Sequence, residues 1–238
     1  MFNPAKPKTL IIAAHPDDEV LGCGGLIPRL AQEGQEVFIA ILGEGLTARY
    51  PKRAQADASH MKALQAQSQL VARTLQAKEV FHYSLPDNRF DSLPLLEIIK
   101  IIEELIESIK PGVIYTHHAG DLNIDHRLVN QAVLTATRPV KDHPVKEIYA
   151  FEVPSSTEWA FNQLAPSFQP NVFVDISDTL SLKLKALSYY ETEIRVFPHP
   201  RSPEAITATA CRWGSVVGCE AAEAFELIRS VRLKETHI

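Results

Sequence analysis

Short apolar runs alternate along the chain with longer stretches in which apolar residues recur every three or four positions. Leu10–Ala14, Glu36–Leu42, Val80–Ser84 and Val113–Thr116 have the length and content of strands, the first of them apolar throughout. Gly22–Glu33, Asp57–Gln76, Pro94–Ile109 and Asp125–Thr137 carry the helical period. Short runs without alternation predict strands covered on both faces, and the periodic stretches predict the helices that cover them. Gly34 closes the first helix, and Pro94 opens the third at a position where no backbone donor is needed. Pro28, inside the first periodic stretch, predicts a kink or a late start.

The order β-α-β-α-β-α-β-α calls for a parallel sheet with helices on both faces and right-handed crossovers. Beyond Pro139 the pattern loosens into a strand (Glu147–Val153), a long loop (Pro154–Pro170), a short strand (Asn171–Asp175), a helix (Asp178–Ile194), the loop Pro198-His199-Pro200-Arg201, one more helix and a strand-like run, Phe225–Leu233. The fold class expected is α/β: a Rossmann-like three-layer sandwich with a mostly parallel sheet. Residues 1–238 read as one domain, with a core at about 8–153 and a C-terminal extension at about 154–238.

Polar chemistry begins where strands end. His15-Pro16-Asp17-Asp18-Glu19 follows the first strand, and His117-His118-Ala119-Gly120-Asp121-Leu122-Asn123-Ile124-Asp125-His126 follows the fourth. In an open parallel sheet the carboxyl ends of the strands border the ligand crevice, so both clusters belong on one rim. His15 and Asp18, two residues apart across a turn stiffened by Pro16, can converge on one point. With His126 they make a three-ligand zinc site that keeps a position open for water. Such a metal polarises carbonyls and acidifies its water, and Asp17 beside it would serve as general base. A plain turn with a helix N-cap would also use His-Pro-Asp-Asp, and a histidine at a helix start is common. Two such clusters on one rim favour the metal.

Composition narrows the classes. At 238 residues, 45% hydrophobic and 22% charged, the chain can bury a full core. A net charge of -5 leaves no basic footprint for nucleic acid. No apolar run approaches the length of a membrane span, and the N-terminus lacks a signal-peptide layout, so a cytoplasmic location is expected. Three cysteines without C-x-x-C spacing, Cys23, Cys211 and Cys219, argue against a disulfide framework or thiolate zinc site.

The segments AHPDDEVLGCGG and DLNIDH resemble the signature pair of the PIG-L or LmbE-like deacetylases, zinc-dependent enzymes that remove acetyl from N-acetylated amino sugars and their conjugates. LGEG, LPDNRFD and FEVPSSTEW extend the resemblance over most of the chain. It implies Zn2+ on His15, Asp18 and His126, a base at Asp17, a small-molecule N-acetylated sugar or sugar conjugate as substrate, and self-assembly as a common family trait. The second motif is usually H-x-D-H, and its first histidine is here Asn123. An amide can donate to an oxyanion but cannot deliver a proton. Either Asp17 returns its proton to the leaving amine, or His118 or His199 supplies one. Asp125 would then orient a metal ligand from behind. Arg49, Arg53 and Arg89 are candidates to hold a phosphate or carboxylate, Trp159 to stack on a sugar, and His118 and the loop holding His199 to touch substrate.

Two other functions compete. Gly22, Gly24 and Gly25 after the first strand, with Glu44 after the second, suggest a nucleotide-binding Rossmann-like protein, although Ile27 stands where the third fingerprint glycine belongs and three carboxylates at 17–19 would repel a pyrophosphate. A non-catalytic metal-binding module would have no use for Asp17.

Overall fold

The computed structural model describes residues 6–232. Seven strands form one sheet: β1 (Thr9–Ala13), β2 (Val37–Gly43), β3 (Glu79–Leu85), β4 (Val113–His117), β5 (Glu147–Phe151), β6 (Val172–Asp175) and β7 (Ala222–Ser230). Their order across the sheet is β3-β2-β1-β4-β5-β7-β6. The first five run parallel; β7 pairs antiparallel with both β5 and β6. The sheet is thus mixed and mostly parallel, as the alternating pattern requires. The chain leaves β1 on one side for β2 and β3, then crosses back to lay β4 on the other. Between β1 and β4 the winding therefore reverses, which opens a crevice at their carboxyl ends.

Period two along the strands divides the core. Ile11, Ile39 and Ile41 face one layer, and Leu10, Ile12, Phe38, Ala40 and Ile114 the other, all buried. The first layer holds α1 (Asp18–Cys23), α2 (Leu26–Gln32), α3 (Ala58–Thr74) and α6 (Leu180–Leu187). The second holds α4 (Leu95–Ile109) and α5 (Ile124–Ala136). Ile98, Ile102, Leu105, Ile106 and Ile109 form the buried stripe of α4, at the spacing that places them on one helical face. A last helix, α7 (Pro203–Val217), packs on β7 and β6. No helix among the described residues is long and apolar enough to cross a membrane.

Three elements differ from their expected form. The helix read over Gly22–Glu33 is two helices, broken at Gly24-Gly25. The amides of Gly25 and Leu26 donate to the Glu223 carboxylate at 2.8 and 2.7 Å, and Lys183 Nζ bridges Glu223 (2.6 Å) to the Leu21 carbonyl (2.8 Å). A buried carboxylate from β7 therefore caps a fresh helix start, a partner local pattern cannot reveal. Pro28 falls in the first turn of α2, where its missing N–H costs nothing. The helix expected over Asp178–Ile194 stops at Leu187; the chain then turns, burying Tyr190, whose hydroxyl donates to Glu19 at 2.5 Å. The last strand is Ala222–Ser230, and Leu233 of the expected run lies outside the described residues.

Candidate active site

At the end of β1 the ladder to β4 has already stopped, its last paired residues being Ile11 and Tyr115. The Ala14 N–H donates instead to His117 Nε2 at 2.8 Å. The chain then makes a tight turn: the His15 N–H donates to Asp18 Oδ2 (2.8 Å) and the Asp18 N–H to the His15 carbonyl (3.3 Å). Asp17, at the turn's apex, has φ of +108°, a region that costs a residue with a side chain of order 1–3 kcal/mol. The surroundings hold it there. Its N–H donates to Glu19 Oε2 at 3.0 Å, and Glu19 is in turn fixed by Tyr190. Although Asp17 sits at the N-cap position of α1, its carboxylate makes no capping bond. It accepts from Arg201 Nη1 at 2.6 Å. A plain N-cap does not account for it.

Asp18 Oδ2 lies 3.4 Å from His15 Nδ1 and 3.3 Å from His126 Nε2. One donor atom from each of the three residues falls within 4.8 Å of the others. Bonds of about 2.0–2.2 Å to a tetrahedral zinc put its ligand atoms about 3.3–3.6 Å apart, so both Asp18 contacts have the length of a coordination edge. The far nitrogens of both rings are backed by carboxylates. His15 Nε2 is 3.0 Å from Asp125 Oδ2 and 3.3 Å from Asp87 Oδ1; His126 Nδ1 is 3.1 Å from Asp121 Oδ1. Those carboxylates are themselves held, Asp125 by the Phe90 N–H (3.0 Å) and Asp121 by Ser156 and Thr157. Asp125 hydrogen-bonds His15 Nε2, the pairing that fixes the tautomer and aim of a metal-binding histidine, and Asp121 sets a negative charge beside His126 Nδ1 without hydrogen-bond geometry. His117 stacks on His126, ring centres 3.9 Å apart, and closes the site from the β4 side.

The electrostatics match a seat for positive charge. Burial alone would raise the Asp18 carboxyl, but the His126 and His117 imidazoles beside it hold it well below its ordinary range. Burial opposes charge on His126 too, yet Asp18 and Asp121 push its pKa up to about 9. Burial raises Asp17 well above an ordinary aspartate, against the pull of Arg201. A nearly dry cluster that stabilises a cation this strongly is a functional-site signature.

The site opens into a cavity of about 190 Å³ lined by His15, Asp17, Asp18, Leu46, Arg49, Asp87, Asn88, Asn123, His126, Glu193 and Arg201, among others. Asn123 Oδ1 accepts the Asp125 N–H at 2.8 Å, capping α5, while its Nδ2 donates to Asn88 Oδ1 at 3.0 Å. Arg49 reaches the cavity with its Nη2 on both Glu193 oxygens, at 2.6 and 2.7 Å. The other expected substrate contacts do not line it. Arg53 is clamped by Glu44 at 2.7 and 2.8 Å, and Arg89 is exposed on its loop. His118 is buried between Glu226 (2.7 Å) and the Pro166 carbonyl (2.8 Å), facing away beneath the 154–170 loop. Trp159 and His199 pack edge to face on each other, ring centres 5.5 Å apart. His118 follows the last residue of β4, and its ring turns to Glu226 on β7 instead of the cavity that His126 lines.

Sequence reasoning missed Asp87, Asp121, Glu193 and Arg201. Asp87 follows the carboxyl end of β3, and the rim rule that drew attention to His15 and His126 applied to it equally. Arg201 lies in the loop Pro198-His199-Pro200-Arg201 that was a candidate to touch substrate, but nothing in the sequence pointed to its pairing with Asp17, and Glu193 left no signal. The glycines that suggested a nucleotide fold do packing work: a methyl group on Gly22 would come within 2.3 Å of Phe151, and one on Gly25 within 2.7 Å of Ile176. The α2 amides a pyrophosphate would need are already taken by Glu223.

The family profile PIG-L, GlcNAc-PI de-N-acetylase, matches residues 10–137. The uncharacterized deacetylase YaiS of Escherichia coli is 28% identical over 189 residues, 77% of this chain and 90% of its own. The diacetylchitobiose deacetylase of Thermococcus kodakarensis is 27% identical over 206 residues, 81% of this chain and 72% of its own. Among solved structures, the N,N'-diacetylchitobiose deacetylase of Pyrococcus horikoshii superposes with a TM-score of 0.73 at 20% identity, over 94% of this chain and 84% of that one. The 4-carboxy-2-hydroxymuconate hydratase GalB of Pseudomonas putida shares the fold as well, with a TM-score of 0.70 at 20% identity, over 97% of this chain and 100% of that one. Architecture alone therefore does not specify the reaction. A profile that spans both polar clusters and more than half of the length makes this chain a member of the PIG-L deacetylase family.

Proposed function

We propose that the protein is a Zn2+-dependent N-deacetylase that hydrolyses the acetamide of an N-acetylated amino sugar or sugar conjugate, releasing acetate and a free amine. One observation carries this reading: Asp17 presents an uncapping carboxylate to the same cavity in which His15, Asp18 and His126 converge at coordination spacing. The names of the diacetylchitobiose deacetylases support the substrate class.

His15 Nδ1, Asp18 and His126 Nε2 would hold the metal, and Asp125, Asp87 and Asp121 would keep the two rings aimed at it. When bound, Zn2+ supplies Lewis acidity toward the amide carbonyl and toward water. Asp17 takes the proton of the attacking water, with Arg201 fixing the carboxylate's direction. Asn123, its carbonyl committed to the α5 cap and its amide facing the cavity wall at Asn88, is the donor available to the developing oxyanion. With His118 buried elsewhere and His199 packed on Trp159, Asp17 returns its proton to the departing amine. A cytoplasmic location and assembly with further copies belong to the same proposal.

Acetate release measured across N-acetylated sugars, with zinc content determined in the same preparation, tests the reading. Full hydrolysis by zinc-free protein, or no acetate from any amino sugar by zinc-loaded protein, overturns it.

A further inference from the structure

A second cavity adjoins the metal-site cavity at Arg49. Leu46, Arg49 and Leu64 line both, and the second, of about 290 Å³ and larger than the first, is walled further by Tyr50, His60 and Ala63 on the 46–56 loop and α3. Most of the annex's lining surface is apolar: Leu46, Leu64 and Ala63 have no polar side-chain atoms, the Tyr50 hydroxyl lies 3.3 Å from His60 Nδ1, and Gln67 and Thr192 complete the wall. Its boundary cation is neutralised, since Arg49 is bound to Glu193 at 2.6 and 2.7 Å. The other cation at the reacting end, Arg201, is bound to Asp17 at 2.6 Å. Four carboxylates, on Asp17, Asp18, Asp87 and Glu193, line the first cavity against these two guanidinium groups. A phosphate would find no unpaired arginine there, and with Zn2+ seated the metal and the two guanidinium groups only balance the four carboxylates, leaving no net positive charge to attract it.

On an amino sugar the group on C1 is the neighbour of the C2 acetamide, so a C1 substituent is the part of the substrate placed to enter an annex that shares Leu46, Arg49 and Leu64 with the metal-site cavity. We infer that the annex binds an uncharged, apolar C1 substituent, which makes the substrate an N-acetylated amino sugar carrying an apolar aglycone, in preference to a free or nucleotide-linked sugar. The inference rests on the deacetylase reading for the end of the molecule that reacts.

Calorimetric titration of the zinc-loaded full-length Asp17→Asn variant, with N-acetylglucosamine, its phenyl β-glycoside and its uridine-diphosphate conjugate, measures the preference without turnover. The phenyl glycoside is expected to bind about tenfold tighter than the free sugar, equivalent to about 1.4 kcal/mol. The nucleotide conjugate should bind no tighter than the free sugar. Ala63→Phe, on the exposed side of α3, fills the annex and should bring the phenyl preference to about one; Tyr50→Ala, which removes a wall, should lower it as well. A phenyl glycoside bound no tighter than the free sugar, a nucleotide conjugate bound tightest, or a preference that survives Ala63→Phe overturns the annex. Acetate release by the unmutated chain tests the deacetylase reading separately, so the two can fail independently.

Discussion

Replacing Asp17 by Asn exchanges one carboxylate oxygen for an amide nitrogen at the point where the proposed metal ligands, Arg201 and the cavity meet. The substitution isolates proton transfer because little else should change. Asn tolerates the left-handed backbone that Asp17 adopts, φ +108°, better than most residues. The N–H that binds Glu19 is retained, and the amide oxygen can still accept from Arg201. The three proposed metal ligands, His15, Asp18 and His126, are untouched. What disappears is the proposed base, and general base catalysis contributes about 10²–10⁴ in rate. Relief from burying a carboxylate offsets the weaker Arg201 contact, so the thermal midpoint should stay within about 2–4 °C, the shift that roughly 1 kcal/mol produces in a chain of this size. Acetate release gives kcat, elemental analysis gives zinc per chain, and a thermal melt reports the fold. Retention of more than about a tenth of kcat would refute Asp17 as the base, and zinc lost in parallel with activity would make it a ligand.

Further outcomes follow from the same geometry. His15→Ala, Asp18→Ala or His126→Ala should each lose zinc and nearly all acetate release while remaining folded by circular dichroism; full zinc retention in any of them removes that residue from the ligand set. Asp121→Asn, which keeps the shape but not the charge behind His126, should weaken zinc binding about 10–100-fold in a competition with a chromophoric chelator. Lys183→Met leaves the Glu223 carboxylate buried with the α2 amides but without its cation, and should cost about 3 kcal/mol in a urea melt. A loss under about 1 kcal/mol would mean that the amides alone satisfy Glu223.

Elements and rim were legible in the chain because they depend on short-range information. Leu10–Ala14 declares a buried strand by its own composition, Ile98 to Ile109 declares a helix face by spacing, and the alternation of the two restricts the sheet to a few topologies. His15 and His126 could be paired across 111 positions because His15 directly follows one strand and His126 stands in the first turn of the helix after another, and the carboxyl ends of both strands must lie on the same edge. Breaks that depend on distant partners were not legible. The start of α2 at Leu26 rests on Glu223, 197 residues away, and the early end of α6 comes with the burial of Tyr190 against Glu19, 171 residues away.

The sequence by itself therefore determined the parallel α/β core, the two polar clusters at its strand ends and the types of donor atom they offer. Only the tertiary structure decided which charges meet. It brought Arg201 to Asp17 across 184 residues, and it spent Arg49 on Glu193, Arg53 on Glu44 and His118 on Glu226, all residues that were candidates for the substrate. Residue type and periodicity set what a side chain can do locally. Which partner reaches it first is set by loop paths across the rim, and no local spacing encodes those.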